Sequence, residues 1–352
     1  MKSSGIPILA NPESEKTKSI AIPPGQLAAI AILMKWTNGS GTITAFLDDA
    51  LPYLTLKRGA TTIQEIAWVD LLAANAKDFG LAIHNNSTTA NAVCFSQVIL
   101  PMSFVGLPPN VLDITGGNEL TLQYNASQFP AAASTSYVTG SITLSIQPIY
   151  DEGLFEQYYP FLGVDQITKA ASSSPDKDLT RFRNIHRLLL REGVATSPGT
   201  DSTNDITNVN VMVDGQTIFN SSYFDLLGLD SAVTQNKGRI RSYLGAAATS
   251  ADTNADNLYA FRAVAIHLGS RNGALGMSPN SFTKVKITCD SSVTGYCNVI
   301  QEAAVPSPIA EASKIRCMAR NAANIATSNN NAGIVSAKVS PITPAASATN
   351  AM

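Results

Sequence analysis

Apolar and polar residues alternate along most of this chain, in short runs separated by Gly, Pro, Asn and Ser. Ile142, Leu144 and Ile146 fall on one side of such a run and Thr143, Ser145 and Gln147 on the other, the period of two of a strand that covers a core with one face. Leu54 and Leu56 alternate in the same way. Further strands are predicted at residues 27–36, 43–48, 81–84, 93–104, 120–124 and 137–149. Three stretches show a helical period instead. Residues 66–79 place Ala67, Leu71 and Ala74 on one side and end before Gly80. Residues 176–192 carry the stripe Leu179, Phe182, Ile185 and Leu189, and Ser307 as N-cap with Pro308 behind it opens a helix to about residue 325.

The runs also repeat. Trp68-Val69-Asp70-Leu71-Leu72 is matched by Tyr223-Phe224-Asp225-Leu226-Leu227, each just downstream of an alternating strand. Residues 43–48 read like 209–214, both closing on an aspartate. Phe95, Val98, Leu100 and Met102 share their spacing with Phe261, Val264, Ile266 and Leu268; residues 120–125 pair with 285–290, and Val138-Thr139-Gly140 recurs as Val293-Thr294-Gly295. The matches keep their order at offsets of 166, 155, 166, 165 and 155 residues, so the copies differ by small insertions that loops absorb. Such a period is far longer than the roughly 20 to 50 residues of a solenoid repeat, and each copy is expected to be a domain with its own core.

Many short antiparallel strands joined by polar loops indicate a sandwich or barrel, and about eight of them per copy suit a jelly roll best. The expected class is all-β: two tandem eight-stranded jelly rolls with a helical connector and a C-terminal helix. The expected divisions are an N-terminal arm at 1–19, a first roll at 20–152, a connector at 153–204, a second roll at 205–304, and a helix with a mobile Asn-, Ala- and Ser-rich tail at 305–352. The connector contains the aromatic stretch around Phe155, Tyr158, Tyr159 and Phe161. Arm and tail are expected to be dispensable for folding.

Composition narrows the function. A chain of 352 residues exceeds the size at which a single core stops growing. Only 14% of residues are charged, well under the usual quarter or so, which suits a surface that other subunits cover. A net charge of -2 gives no basis for sequence-independent grip on phosphates. The four cysteines, Cys94, Cys289, Cys297 and Cys317, form no CxxC pair; Cys94 and Cys289 read as small core residues, and Cys289 and Cys297 stand where they could meet across a hairpin. Residues 1–5 lead into polar sequence, so no export signal is expected, and the longest apolar run, 27–34, is too short to span a bilayer.

Candidate chemistry is sparse. His84, His186 and His267 lie far apart in sequence and fit no metal-binding spacing, and the chain has no nucleotide-binding glycine loop and no nucleophile elbow. Asp252, Asn254 and Asp256 alternate as calcium-loop ligands do, yet Asn257 stands where a glycine is needed and Ala263 where a glutamate is needed; a weak structural calcium site and a solvated turn are the two readings. Asp48-Asp49 closes a strand as an ordinary turn would. Asp70 and Asp225, repeated in both copies, are expected to hold turns through local backbone amides. Arg183, Arg187 and Arg191 recur every four residues and are expected to face solvent or a neighbouring subunit, with phosphate groups as the alternative. Sequons at Asn38, Asn85, Asn86, Asn125 and Asn220 carry little weight in so Asn-rich a chain. No catalytic, cofactor-binding or metal-binding residue is assigned, and no enzyme activity is expected.

The opening Ile22-Pro23-Pro24-Gly25 leading into the strand at 27–36, the strand Glu119-Leu120-Thr121-Leu122, and residues 141–150 running into Tyr158-Tyr159 resemble the first roll of the double jelly-roll major capsid proteins of tailless icosahedral viruses. That group includes membrane-containing bacteriophages and adenovirus hexon. The resemblance covers about residues 18–325 and rests on architecture more than on letters. It implies a homotrimer with six rolls about its axis, a pseudo-hexagonal block tiling an icosahedral virion shell. Neighbouring capsomers, minor and penton proteins, and an internal membrane at the base would be its partners, with synthesis in the host cytoplasm and no sequence-specific nucleic-acid contact. The alternative is a carbohydrate-binding β-sandwich, lectin-like or receptor-binding, which would need exposed aromatics beside polar loops.

Overall fold

The computed structural model describes residues 2–3, 7–43, 53–79, 83–85, 89–104, 107–115, 119–127, 129–152, 154, 156–179, 184–193, 206–223, 225–226, 263–268, 282–290 and 295–307. The first part of the chain forms β1 (Lys2–Ser3), β2 (Ile8–Ala10), β3 (Thr17–Ile22), β4 (Gln26–Thr37), β5 (Tyr53–Arg58) and β6 (Thr61–Ala67), then helix α1 (Trp68–Phe79). It continues through β7 (Ile83–Asn85), β8 (Val93–Pro101), β9 (Leu112–Asp113), β10 (Leu120–Asn125) and β11 (Thr143–Tyr150). The second part forms β12 (Tyr158–Thr168), β13 (Asp176–Asp178), β14 (Asn184–Gly193), β15 (Ile206–Val213), β16 (Gln216–Ser222), β17 (Ala263–His267), β18 (Thr283–Cys289) and β19 (Tyr296–Pro306).

These strands make three sheets. One runs β1-β11-β4-β8-β7, with β2 also on β11 and β9 also on β4. The second is a single eight-stranded sheet, β17-β14-β19-β12-β6-β5-β10-β3, and the third runs β13-β18-β15-β16. The period of two explains how they stack. Along β4, Leu27, Ile30, Ile32, Met34 and Trp36 are buried while Ala29, Ala31 and Leu33 are half-buried. The buried set packs on Leu54, Leu56, Leu120 and Leu122 of the facing sheet to form one core. A second core joins Leu188 and Leu190 of β14 and Val299 of β19 to Val209 and Val211 of β15 and Val285 and Ile287 of β18. Each such side chain contributes roughly 1.5–3 kcal/mol on burial. The long sheet therefore serves two sandwiches, and they meet where β12 lies parallel to β6, with Leu162 opposite Gln64.

The internal repeat is visible in the strand order. The sequence β3-β10-β5-β6 in the first sandwich is repeated by β13-β18-β15-β16 in the second, and β8-β4-β11 by β17-β14-β19. The Asp-Leu-Leu elements follow β6 and β16, β8 corresponds to β17 and β10 to β18, and Gly140 and Gly295 both have positive φ, 74° and 106°. One match shifts. The counterpart of β15 is β5, so residues 209–214 answer to 54–59, and the turns after them agree in backbone: Gly59 has φ 55° and Asp214 φ 50°. Of the predicted strand at 43–48, residues 44–48 lie outside the described residues.

Several expectations change. The helix predicted at 176–192 is β13 and β14 instead, so the expected helical connector is largely strand. Ile185, Leu188, Leu189 and Leu190 are all buried, and a run buried on both faces loses the alternation that marks a strand. The stretch 1–19 is no free arm: Ser3 pairs with Ile149, Leu9 with Ser145, and Ser19 with Gln123. Strand β6 escaped the sequence reading because Thr61, Thr62, Gln64 and Glu65 dilute its apolar pattern; α1 then starts at Trp68. Cys289 and Cys297 are buried on strands of different sheets and are not joined by a disulfide. The predicted helix after Pro308, Cys317 and the tail lie outside the described residues. Among those described, no helix is long and apolar enough to cross a membrane.

Candidate functional site

Among the described residues, the three most deeply buried charged side chains, Arg187, Glu302 and Asp70, gather where the two sandwiches meet. Helix α1 belongs to the first, and it lies against β14 and β17 of the second while Asn75 holds the edge of β8, accepting from the Ile99 amide at 2.7 Å and donating to its carbonyl at 2.9 Å. Asp70 and Asp78 are eight residues apart, about 12 Å along a helix. Arg191 and Arg187 are four apart on β14, about 13 Å along a strand. The two spacings match, so each carboxylate meets one guanidinium: Arg191 donates through Nε to Asp70, and Arg187 through Nη2 to Asp78 at 2.5 Å.

Neighbours on β19 complete the cluster. Glu302 accepts two bonds from Arg187, at Nε (2.5 Å) and Nη2 (2.6 Å), the bidentate geometry that suits a planar guanidinium. Asn298 donates to the second oxygen of Asp70 at 2.9 Å. Arg187 is fully buried and Glu302 and Asp70 nearly so. Burial pushes the Asp78 carboxyl up to about 6, against the pull of Arg187 and with that of Glu302. Burial opposes the charge of Arg187, but Glu302 and Asp78 outweigh it and hold the pKa above its ordinary value. His186 stacks on Phe104 of the first sandwich with ring centroids 5.4 Å apart, and burial, with Arg187 and His267 adding to it, lowers its pKa to about 3. It is neutral, and its 3.7 Å approach to Glu302 is no ion pair.

The entry to β12 is pinned as well. Arg58 binds Glu156 at 2.7 Å and the Asp113 carbonyl at 2.6 Å, and Glu156 accepts the Asp113 amide at 2.8 Å. Asn110 donates to the carbonyls of Met102 and Tyr158, both at 3.0 Å, and accepts the Gln157 amide at 2.7 Å. Beside the β6–β12 seam, a cleft of about 260 Å³ is lined by Tyr53, Glu65, Phe161, Gly163, Asp165 and Gln301, among others. Burial, with Glu65, Asp70 and Asp165, pushes the Tyr53 hydroxyl up to about 12. Gln301 donates to Asp165, and a Cβ on Gly163 would stand 2.4 Å from the Phe161 ring. The cleft offers carboxylates and a phenol without a nucleophile–base pair.

The sequence candidates are thus redistributed. Arg187 and Arg191 face neither solvent nor a partner, because the helix of the first sandwich covers them; Arg183 lies outside the described residues. Asp70 is an interdomain ion-pair acceptor rather than a local turn holder, whereas Asp225 is exposed, its amide donating to Ser222 Oγ at 3.0 Å. His267 ends β17 and is exposed; His84 is in β7. Asp48-Asp49, the 252–256 loop and Asn86 lie outside the described residues. Asn38 is buried between Trp36 and Thr89, and Asn85 is in β7. Asn125 and Asn220 are exposed, and Asn220 accepts from Asn208 at 2.7 Å. Among the described residues no group of three or more His, Cys, Asp or Glu is placed to hold a metal. The partners of the Arg stripe, Asp78 and Glu302, were missed. Their signal is the Asp70–Asp78 spacing, which matches the Arg187–Arg191 spacing only once the latter is read as strand.

This architecture has likenesses among solved viral proteins. The crystal structure of the STIV major capsid protein aligns with 87% of the chain and 96% of its own, at a TM-score of 0.61 and 12% identity. The atomic structure of Sulfolobus turreted icosahedral virus aligns at 0.60 and 12%, covering 87% and 90%. The major capsid protein P2 of bacteriophage PM2 aligns at 0.51 and 12%, covering 87% and 96%. The fold is a double jelly roll. No protein-family model and no curated protein matches the sequence. At this level of identity the likeness is one of fold, and it extends over almost the whole length of the viral chains.

Proposed function

We propose that this chain is a major capsid protein, the repeating structural unit of an icosahedral virus shell, and that it works as a homotrimer. What carries the reading is the pairing of two rolls into one body on a shared sheet, with a likeness to the viral capsid proteins over almost their whole length. A shell protein performs no chemistry; it must keep its shape while many weak contacts add up. The seam serves that end. Buried ion pairs from Asp70 and Asp78 to Arg191 and Arg187 penalise any rotation of one roll against the other, because a partly separated pair would leave charges buried and uncompensated.

The trimer meets neighbouring capsomers and penton proteins through interfaces on the order of 2,000 Å² or more, in a virion assembled from chains made in the host cytoplasm, with a membrane as the candidate lining at its base. The carbohydrate-binding alternative draws no support from Trp36 and Trp68, the chain's two tryptophans, which are 2% and 0% exposed. Sedimentation and negative-stain microscopy of purified protein test the proposal: trimers that form sheets or shells with partner proteins support it, and a monomer at every concentration refutes it.

A further inference from the structure

The cleft beside the β6–β12 seam gathers side chains that the period of two brings to one face of the long sheet. Strand β12 contributes Phe161 and Asp165, with Gly163 between them on the same face. The Phe161 ring fills the place that a Cβ on Gly163 would take, and it makes an apolar wall. Strand β6 contributes Glu65, opposite Thr55, and Tyr53 stands two residues along β5 from Thr55 on that face. Gln301 lines the cleft from β19. Tyr53 and Glu65 therefore come from the first roll, and Phe161, Asp165 and Gln301 from the second.

Gln301 is the residue whose bonding is incomplete. It is 2% exposed, and its Nε2 donates to Asp165. An ionised carboxylate accepts and does not donate, so the amide cannot be turned round. Oε1 is left with no donor among the described residues, and buried acceptors in that state are rare and costly. The charges nearby are unbalanced as well. Glu65 is exposed and has no ion-pair partner among the described residues, while Asp165 has Lys177 at a loose 3.8 Å. Burial first, then Glu65, Asp70 and Asp165, push the Tyr53 hydroxyl up to about 12, so it adds no charge of its own.

We infer that this cleft binds a small primary alkylammonium ion, with Glu65, Asp165 and the Gln301 carbonyl as acceptors and the Phe161 ring against the alkyl chain. An ammonium brings three N–H donors and no acceptor, which suits a lining of oxygens with one acceptor unfilled. Two carboxylates against one lysine leave a single negative charge for the ligand to neutralise. The volume, about 260 Å³, lies below the roughly 300–1,000 Å³ of pockets for drug-sized ligands, so a short chain fits. A metal ion fits less well, because the lining supplies two carboxylates and, among the described residues, no group of three or more His, Cys, Asp or Glu is placed to hold one. The bound ion touches both rolls and adds a bridge beside the one between Asp70 and Arg191. The site is complete within one chain and does not rest on the capsid reading.

Calorimetric titration of the full chain at low ionic strength tests this, with n-butylammonium chloride as the probe and tetramethylammonium chloride as a cation of similar bulk that has no N–H. Butylammonium is expected to saturate a single site per chain and to raise the melting temperature, as a ligand of the folded state does; tetramethylammonium is expected to do neither. Glu65→Gln changes an exposed side chain to one of the same shape, so its melt without ligand should match the parent's, and its affinity for butylammonium should fall about fivefold, the loss of an exposed ion pair. Gln301→Met removes the unfilled acceptor and should abolish binding. No saturable heat from butylammonium, equal binding of tetramethylammonium, or unchanged affinity in Glu65→Gln overturns the inference and leaves the capsid reading in place.

Discussion

Arg191 of β14 and Asp70 of α1 are hydrogen-bonded through Nε and Oδ1 across the boundary between the rolls, with side chains 8% and 1% exposed. Removing one member leaves the other charge buried without a counterion, which costs about 3–5 kcal/mol, whereas replacing both by apolar residues of similar size is close to neutral. Asp70→Leu and Arg191→Met should each be severely destabilised in denaturant titrations, and the double variant should recover most of the loss. Equal and additive losses would mean that the pair is not coupled.

The pH dependence of stability has two opposing parts at this cluster. His186, lowered to about 3, contributes stability that is present above its unfolded value near 6.5 and is lost as pH falls from there toward 3. Asp78, raised to about 6, contributes stability that is full below about 3.8 and is lost as pH rises through 6. His186→Leu removes the first part. Relative to the parent, its unfolding free energy should rise by up to about 1.4 kcal/mol per pH unit on acidification below 6.5. Parallel pH profiles would show that His186 does not titrate with folding.

Two glycines separate backbone clashes from side-chain clashes. A Cβ on Gly39 would meet the Ser134 and Ala133 carbonyls at 2.3 and 2.4 Å, and the chain there is tied by hydrogen bonds to Ser136 and Asn91. A Cβ on Gly163 meets the end of the Phe161 ring, which can turn. Gly163→Ala should cost about 1–3 kcal/mol, as overpacking does, with Phe161→Leu restoring part of it. Gly39→Ala should cost more, and no single side-chain change should restore it. Thermal melts of the three variants check the order.

Asn110 holds the start of β12 through its side-chain amide. Asn110→Ala should accelerate amide exchange at Gln157 and Tyr158 while leaving Val209 and Val211 in the second roll protected. Uniform acceleration would place the effect in global stability instead.

Much of this was legible in the sequence, for reasons that differ by element. Strands β4, β8 and β11 bury one face, so period two survives, and the doubled Asp-Leu-Leu motif marks equivalent turns after β6 and β16. β14 was misread because burial on both faces replaced alternation by a continuous apolar run, and the regularly spaced arginines then imitated a helix face. The same misreading hid the seam. Partners such as Arg187 and Glu302 are 115 residues apart, and no local pattern announces them. β1 and β2 were missed because two or three residues are too few to show a period.

The tiling of two-roll chains in rings has a visible consequence. Averaged electron-microscope images of the purified full chain test it most directly. A six-lobed, threefold-symmetric outline made of three two-lobed chains is expected. Isolated two-lobed particles at every protein concentration would contradict it.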